Sequence, residues 1–192
     1  PLLSHQPYTM EMPRLILYEW GLHLVDVMAF LFGDVESVYA RMSRVSSLVR
    51  GEDLIVITLV FRSGVIGVLD LSWGSHVPKG RKTPRGSLDP FIVEGDQGTI
   101  ELDPYHRAGD AMIITRQGSS EVHPTHGGLS RAEAYQESYV NTQSHIIHCL
   151  RRGEPAENEA AEKLKTLAVV FAAYDAAERN QVVILPHDGG ST

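Results

Sequence analysis

The stretch "EDLIVITLVFRSGVIGVLDLSW", residues 52–73, sets the fold class of the chain. Two runs rich in Val, Ile, Leu and aromatic residues, which favour strands, are separated by Ser63-Gly64. A two-residue loop with glycine is typical of a β-hairpin, because glycine readily adopts the positive φ that tight turns require. The stretch therefore predicts two antiparallel strands.

The first of these strands is apolar on both of its faces. Its residues alternate between one face with Ile55, Ile57, Leu59 and Phe61 and another with Leu54, Val56, Thr58 and Val60. An antiparallel sheet with one face in water should alternate apolar with polar residues, so both faces are expected to be covered. We predict a homo-oligomer that forms through the open sheet face. The alternative is that loops and terminal segments of the same chain cover this face.

Further strands and helices surround this hairpin. Strand-like runs begin at Val35, Phe91, Ala111 and Gln181, with turns at Gly95 to Gly98 and at Gln117-Gly118. Helical patterns cover residues 18–34, "RAEAYQESYVNTQSHIIHCLRRG" and "NEAAEKLKTLAVVFAAYDAAERN", and residues 74–90 read as a long loop. Strands in the middle and helices at the ends predict an α+β fold, a large mixed, mostly antiparallel open sheet with helices packed on one face. Residues 1–192 are expected to form a single domain.

Composition excludes several classes of protein. The net charge of -7 argues against nucleic acid as a partner, because binding to a phosphate backbone needs clustered Lys and Arg. No apolar run approaches the roughly 20 residues that span a bilayer, so we expect no membrane partner. Cys149 is the only cysteine, which excludes disulfides within the chain and fits a cytoplasmic location.

The start of the first helix carries the candidate catalytic residues. Glu19 and His23 lie four residues apart, a spacing that brings a carboxylate to an imidazole on one helix face. Such a pair favours the protonated ring and is suited to general acid and base catalysis. Asp26, one turn further, could accept a hydrogen bond from a polyhydroxylated ligand. The alternative is that His23 is a helix cap or a buried, satisfied polar group.

Other polar and aromatic residues give weaker signals. The pairs His123/His126 and His145/His148 have zinc-like spacing. The first pair lies in a Pro- and Gly-containing loop with no nearby carboxylate or thiol, and the second lacks the Glu of a metalloprotease helix, so we predict no metal site. Trp20 and Tyr135 could stack on a sugar, although such residues more often serve in packing. The sequence contains no G-x-G-x-x-G after a strand, so no dinucleotide-binding turn is encoded.

Five segments, taken in order, resemble the C-terminal domain of the glucose-fructose oxidoreductase and inositol dehydrogenase family, also called Gfo/Idh/MocA. They are "YEWGLHLVDVMAFLFGDVESVYA", "GEDLIVITLVFRSGVIGVLDLSW", "VEGDQGTIEL", "AYQESYVNTQSHIIHCLRRGEP" and "EKLKTLAVVFAAYDAAERNQVVIL". The resemblance implies an open-sheet domain that shapes the substrate pocket and mediates oligomerisation. It also implies that NAD or NADP is bound mainly by an N-terminal Rossmann domain, which this chain does not resemble, so we expect the chain to be a fragment that is inactive alone.

The resemblance also implies roles for individual residues. The family's motif of Asp, three residues and His falls on Glu19 and His23, with Glu in place of Asp. His23 would accept the proton of a substrate hydroxyl, Glu19 would orient and charge it, and Asp26, Trp20 and Tyr135 would help to hold a sugar, cyclitol or related polyol. Two other functions remain open. One is a non-catalytic dimerisation or ligand-sensing module, and the other is a metal-dependent hydrolase or isomerase that uses the histidines.

Overall fold

The computed structural model describes residues 6–73, 91–103, 111–157 and 159–186. Within these ranges there are three α-helices, α1 (Leu22–Phe32), α2 (Arg131–Arg152) and α3 (Ala160–Arg179). The strands are β1 (Val35–Ser43), β2 (Leu54–Phe61), β3 (Ile66–Ser72), β4 (Phe91–Gly95), β5 (Gly98–Asp103), β6 (Ala111–Arg116), β7 (Ser119–Pro124) and β8 (Val183–Ile184). A 3-10 helix (Pro7–Glu11) and a π-helical turn (Leu17–Gly21) precede α1.

The chain divides into two compact units. The first unit, which we call the helix-covered unit, consists of Pro1–His76 and Glu157–Thr192, and the second, the meander unit, consists of Val77–Ala156. The prediction that residues 1–192 form a single domain stays a prediction.

The helix-covered unit is built on a four-stranded antiparallel sheet in the order β3-β2-β1-β8. On its inner face, Ile57 of β2 pairs with Ala40 of β1 and with Leu69 of β3, and all three side chains are buried. Each large apolar side chain buried in this way contributes roughly 1.5–3 kcal/mol to the hydrophobic free energy of folding. This inner face is the core of the unit.

Helices α1 and α3 cover the inner face. The ring of Phe32, at the end of α1, meets the ring of Phe61 edge-on at 5.5 Å. A Cβ atom at Gly67 of β3 would lie 2.2 Å from the Met28 side chain, so the absence of a side chain there lets α1 approach the sheet closely. Helix α1 ends at Gly33, whose φ of 88° favours glycine and prevents continuation of the helix.

The meander unit contains the second sheet, in the order β4-β5-β6-β7. Gln117 and Gly118 join β6 to β7 with φ values of 49° and 79°, the two positive angles of a type I′ hairpin turn. Helix α2 begins with a capping box, in which the Ser130 and Glu133 side chains bond each other's backbone N–H, and it ends at Gly153. Most α2 side chains are exposed.

The α+β class and the open antiparallel strands are confirmed, and the three predicted helices are present. The strands of the described ranges form two sheets of four, all with antiparallel neighbours. The loop predicted for residues 74–90 lies outside the described residues. The run that begins at Glu52 is not a strand until Leu54, since Glu52 and Asp53 are buried residues of the preceding loop.

Candidate functional site

A widened helical turn leads into α1. In the π-helical turn Leu17–Gly21, the backbone N–H of Leu22 donates to the Leu17 carbonyl, five residues back. Ahead of and within this turn, the backbone N–H groups of Leu15 and Leu17 donate to Oε1 of Glu52 at 3.0 and 3.2 Å. The start of a helix leaves such N–H groups unpaired and attracts negative charge, so the buried Glu52 carboxylate stabilises this end.

The Glu52 carboxylate also ties α3 to this turn. The Tyr174 hydroxyl of α3 donates to Oε1 of Glu52 at 2.6 Å, and the Tyr174 side chain is buried. Burial, followed by the hydrogen bond to Glu52 and the negative charge of Glu52, raises the pKa of Tyr174 far above its usual value. The hydroxyl therefore stays protonated and remains a donor.

Glu19 and His23 lie close in sequence but do not bond each other. Glu19 is half-buried on the π-helical turn, and its Oε1 accepts a hydrogen bond of 3.4 Å from the Tyr8 hydroxyl. The His23 imidazole is exposed in the first turn of α1. Within the described residues, no hydrogen bond or ion pair joins His23 to Glu19. In a π-helical turn the hydrogen-bonded neighbour is five residues away instead of four, so the contact expected for a regular α-helix is not formed.

Asp26 connects α1 to α3. Nζ of Lys163 lies 2.9 Å from Oδ1 and 2.7 Å from Oδ2 of Asp26, and the Thr166 hydroxyl donates to Oδ1 at 2.8 Å. Partial burial alone would raise the pKa of Asp26, but the hydrogen bonds from Lys163 and Thr166 and the charges of Lys163 and His23 together lower it. Asp26 thus anchors the two helices, and its contact with a substrate stays a prediction.

The predicted aromatic residues lie on different units. Trp20 is on the π-helical turn of the helix-covered unit, with 39% of its surface exposed. Tyr135 lies on α2 of the meander unit, where its hydroxyl is 2.9 Å from that of Tyr139 and the two rings meet edge-on. This hydrogen bond raises the pKa of Tyr135. Both Trp20 and Tyr135 present exposed aromatic surface, and their binding to a sugar stays a prediction.

The histidine pairs form no metal cluster in the ranges that the structure describes. No group of three or more His, Cys, Asp or Glu side chains there is arranged to hold an ion. His145 instead lies against the Cys149 thiol, with Nε2 3.7 Å from Sγ, and Nε2 of His123 lies 3.5 Å from Glu121.

The sequence-based prediction missed Glu52 and Tyr174, which fix the position of the turn that carries Glu19. The sequence pattern predicted a strand that begins at Glu52, because this residue directly precedes the apolar run. The available signal was the pair of adjacent acidic residues between Gly51 and an apolar run, a composition that strands disfavour. The second of them, Asp53, accepts hydrogen bonds from the backbone N–H groups of Val45 and Ser46 at 2.6 and 2.8 Å.

Residues 12–185 match the family model described as "Oxidoreductase family, C-terminal alpha/beta domain". The chain belongs to the Gfo/Idh/MocA family of oxidoreductases. The matched range contains all the predicted site residues, which are Glu19, Trp20, His23, Asp26 and Tyr135.

Two relatives are named D-apiose dehydrogenase. The one from Paraburkholderia graminis is 36% identical over 188 residues, which are 96% of this chain and 48% of the relative. The one from Rhizobium rhizogenes is 30% identical over 190 residues, 95% of this chain and 52% of the relative. The chain therefore spans about half the length of the curated relatives it matches.

Solved structures of the Gfo/Idh/MocA type have the same fold. One is an oxidoreductase from Agrobacterium radiobacter in complex with NAD+, L-tartaric acid and magnesium. It is 30% identical to this chain, with a TM-score of 0.79, and the match covers 95% of this chain and 53% of the Agrobacterium chain. The WlbA dehydrogenase from Bordetella pertussis, in complex with NADH and UDP-GlcNAcA, is 20% identical with a TM-score of 0.66 over 96% of this chain and 50% of that one. At that lower identity the likeness concerns the fold alone.

Proposed function

We propose that this chain is the substrate-binding half of an NAD(P)-dependent dehydrogenase that oxidises a hydroxyl group of a sugar, cyclitol or related polyol. The observation that carries the proposal is the His23 imidazole, exposed in the first turn of α1 within a domain of this oxidoreductase family. The names of the D-apiose dehydrogenases and the NAD+ and L-tartaric acid of the Agrobacterium structure support it.

The residues of the chain have distinct parts in this reaction. His23 accepts the proton of the substrate hydroxyl, a step for which an exposed imidazole is suited. When bound, the nicotinamide supplies the hydride acceptor. Glu19 provides a second acidic group beside the site, and Trp20, Asp26 and Tyr135 help to hold the substrate.

The Asp26 carboxylate assists proton transfer to His23. The charge of His23 is one of the causes of the lowered pKa of Asp26, so the two side chains interact electrostatically. Asp26 keeps this interaction with His23 while it is bonded to Lys163, because the ion pair holds the Asp26 carboxylate one turn from His23. We assign the electrostatic assistance of His23 to Asp26 as well as to Glu19.

The dinucleotide is bound mainly by residues outside this chain. The sequence holds no glycine-rich turn for a pyrophosphate, and the chain spans about half of each relative that it matches. The 192 residues alone are accordingly expected to be inactive. We also propose a cytoplasmic location. In the part of the chain that is described, no helix has both the length and the apolar character needed to cross a membrane.

Replacing His23 tests the proposed role. In the protein that joins this chain to its dinucleotide-binding half, His23→Ala is expected to lower kcat about 100-fold, as when a general base is removed. The assay follows nicotinamide reduction by absorbance, with D-apiose and a panel of polyols as substrates. His148→Ala, an exposed histidine on α2, is the matched control and should retain full activity. Unchanged turnover in His23→Ala would rule out the proton-acceptor role.

A non-catalytic dimerisation or ligand-sensing module is the second candidate. Two observations favour it, the missing contact between Glu19 and His23 and the exposed apolar residues on the outer face of the first sheet. A full-length protein with no turnover on any substrate of the panel, but with tight binding of one of them, would favour this module over the enzyme.

A further inference from the structure

One cavity of the helix-covered unit is rich in arginine. It has a volume of about 550 Å³ and lies between the end of β1, the loop after it and α3. Its chemistry-bearing lining residues are Arg14, Ser43, Arg44, Arg50, Glu52 and Tyr174. Neither Glu19 nor His23 lines this cavity, so it is distinct from the proposed catalytic site.

Two of the arginines have no partner in the described part of the chain. The guanidinium groups of Arg44 and Arg50 make no hydrogen bond and no ion pair there, and both side chains are exposed. Arg14 is fixed in a different way, with its guanidinium carbon 5.3 Å from the centre of the Phe171 ring and 4.7 Å from that of Tyr174. Three arginines therefore line one opening, and two of them have no acidic partner among the described residues.

The acidic residues of the cavity do not neutralise these charges by direct pairing. Glu52 directs its Oε1 to the backbone N–H groups of Leu15 and Leu17 and to the Tyr174 hydroxyl. Glu178, the other acidic lining residue, forms no ion pair within the described residues. The lining therefore holds three arginines against two glutamates, and the unpaired arginines attract anions.

The geometry points to a phosphate group as the ligand. A guanidinium group can donate two parallel hydrogen bonds to a phosphate, and two guanidinium groups match the double charge of a phosphate monoester better than the single charge of a carboxylate. Ser43 also lines the cavity, and a serine hydroxyl can donate a further hydrogen bond. Pockets of a few hundred Å³ hold small organic molecules, so the cavity has room for more than a free phosphate ion.

We propose that this cavity binds the phosphate monoester of a small metabolite, with Arg44 and Arg50 as the residues that hold the phosphate and Arg14 as a fixed positive charge beside it. The proposal does not depend on the oxidoreductase activity. It can therefore be tested on the 192-residue chain by binding alone.

Calorimetric titration with ribose 5-phosphate, ribose and inorganic phosphate at constant ionic strength tests the proposal. We expect ribose 5-phosphate to bind at least about tenfold more tightly than ribose, because charge-assisted hydrogen bonds to the phosphate are lost with the neutral sugar. It should also bind more tightly than inorganic phosphate, since the cavity contacts the rest of the molecule. Equal binding of ribose, tighter binding of inorganic phosphate, or no binding of ribose 5-phosphate would overturn the proposal.

Paired arginine variants locate the binding to the cavity. Arg44→Ala combined with Arg50→Ala should weaken ribose 5-phosphate binding by about tenfold or more, and lysine at both positions should restore it only in part, because lysine keeps the charge but not the planar pair of donors. Arg116→Ala combined with Arg151→Ala removes the same two charges from exposed positions outside the cavity and should leave the affinity unchanged. An equal loss in both alanine pairs would show attraction by net charge alone and would refute the site.

Discussion

At the residue scale, Asp26 shows how one side chain can serve both folding and the proposed chemistry. Its carboxylate accepts three hydrogen bonds, two from the Lys163 amine and one from Thr166, and so holds α1 against α3. A carboxylate has about four acceptor positions, so one remains for a substrate or for His23. The same residue therefore sets the distance between the helices and the charge beside the proposed proton acceptor.

The substitution Asp26→Asn is expected to lower the free energy of unfolding by about 1 kcal/mol at pH 7, in line with a partly exposed ion pair that has good geometry. The pKa of Asp26 is lower in the folded protein than its ordinary value of 3.8. The ionised carboxylate therefore stabilises the fold above that pH, and this contribution is lost as the pH falls through the folded-state pKa. Urea unfolding between pH 7 and pH 3 should show a steeper loss of stability in the natural protein than in Asp26→Asn.

A more exposed ion pair on α3 provides the control for this prediction. Asp175 lies 3.8 Å from Arg179, and Asp175→Asn should change the free energy of unfolding by no more than about 0.5 kcal/mol. If both variants lose the same stability with the same pH dependence, the anchoring role of Asp26 is wrong.

At the scale of elements, the sequence predicted what depends on local patterns. The hairpin at Ser63-Gly64 and the turn at Gln117-Gly118 followed from the presence of glycine, which readily adopts positive φ. The sequence could not predict the π-helical turn. This turn forms where the Glu52 carboxylate accepts hydrogen bonds from backbone N–H groups, and Glu52 is 35 residues away from Leu17. The absence of a contact between Glu19 and His23 could not be predicted for the same reason, since it depends on the shape of that turn.

The buried Glu52 carboxylate is expected to be essential for the start of α1. Glu52→Gln keeps the shape of the side chain but removes the negative charge of the group that accepts from three donors. It should lower the free energy of unfolding by about 2 kcal/mol. Tyr174→Phe removes one of these donors and should cost about 1 kcal/mol. Urea unfolding measures both losses.

The control is Tyr39→Phe, which removes a hydroxyl that donates to Asn180 at an exposed position. We expect a change of less than about 0.5 kcal/mol. A Glu52→Gln variant as stable as the natural protein would show that the start of α1 does not depend on this carboxylate.

At the scale of the whole molecule, the outer face of the first sheet is the feature that points beyond a single chain. Val56, Ile66 and Val68 are 40%, 68% and 65% exposed on this face, opposite the face that α1 and α3 cover. We propose that a second copy of the chain covers it, which fits the predicted homo-oligomer. A two-fold interface places the same patch on both subunits, so an apolar surface that pairs with itself meets this requirement.

Placing a charge on this face should therefore prevent assembly. Val68→Lys introduces one buried ammonium group per subunit into the proposed interface, and sedimentation velocity should show a shift from oligomer to monomer. Leu164→Lys, at an exposed position of α3, is the control and should leave the oligomer intact. A natural protein that sediments as a monomer at all concentrations would contradict the proposal.

The π-helical turn ahead of α1 has one consequence for how this domain can diversify. Such a turn contains one residue more than an α-helical path between the same end points. Loss of a single residue from Leu17–Gly21 would therefore leave Leu15 on Glu52 and the core of α1 in place, while the side chains between them rotate by about 100° around the axis. A one-residue deletion would thus exchange the group beside His23 for its sequence neighbour and alter the contacts of the proposed ligand, while the buried residues Leu17 and Gly21 would have to repack.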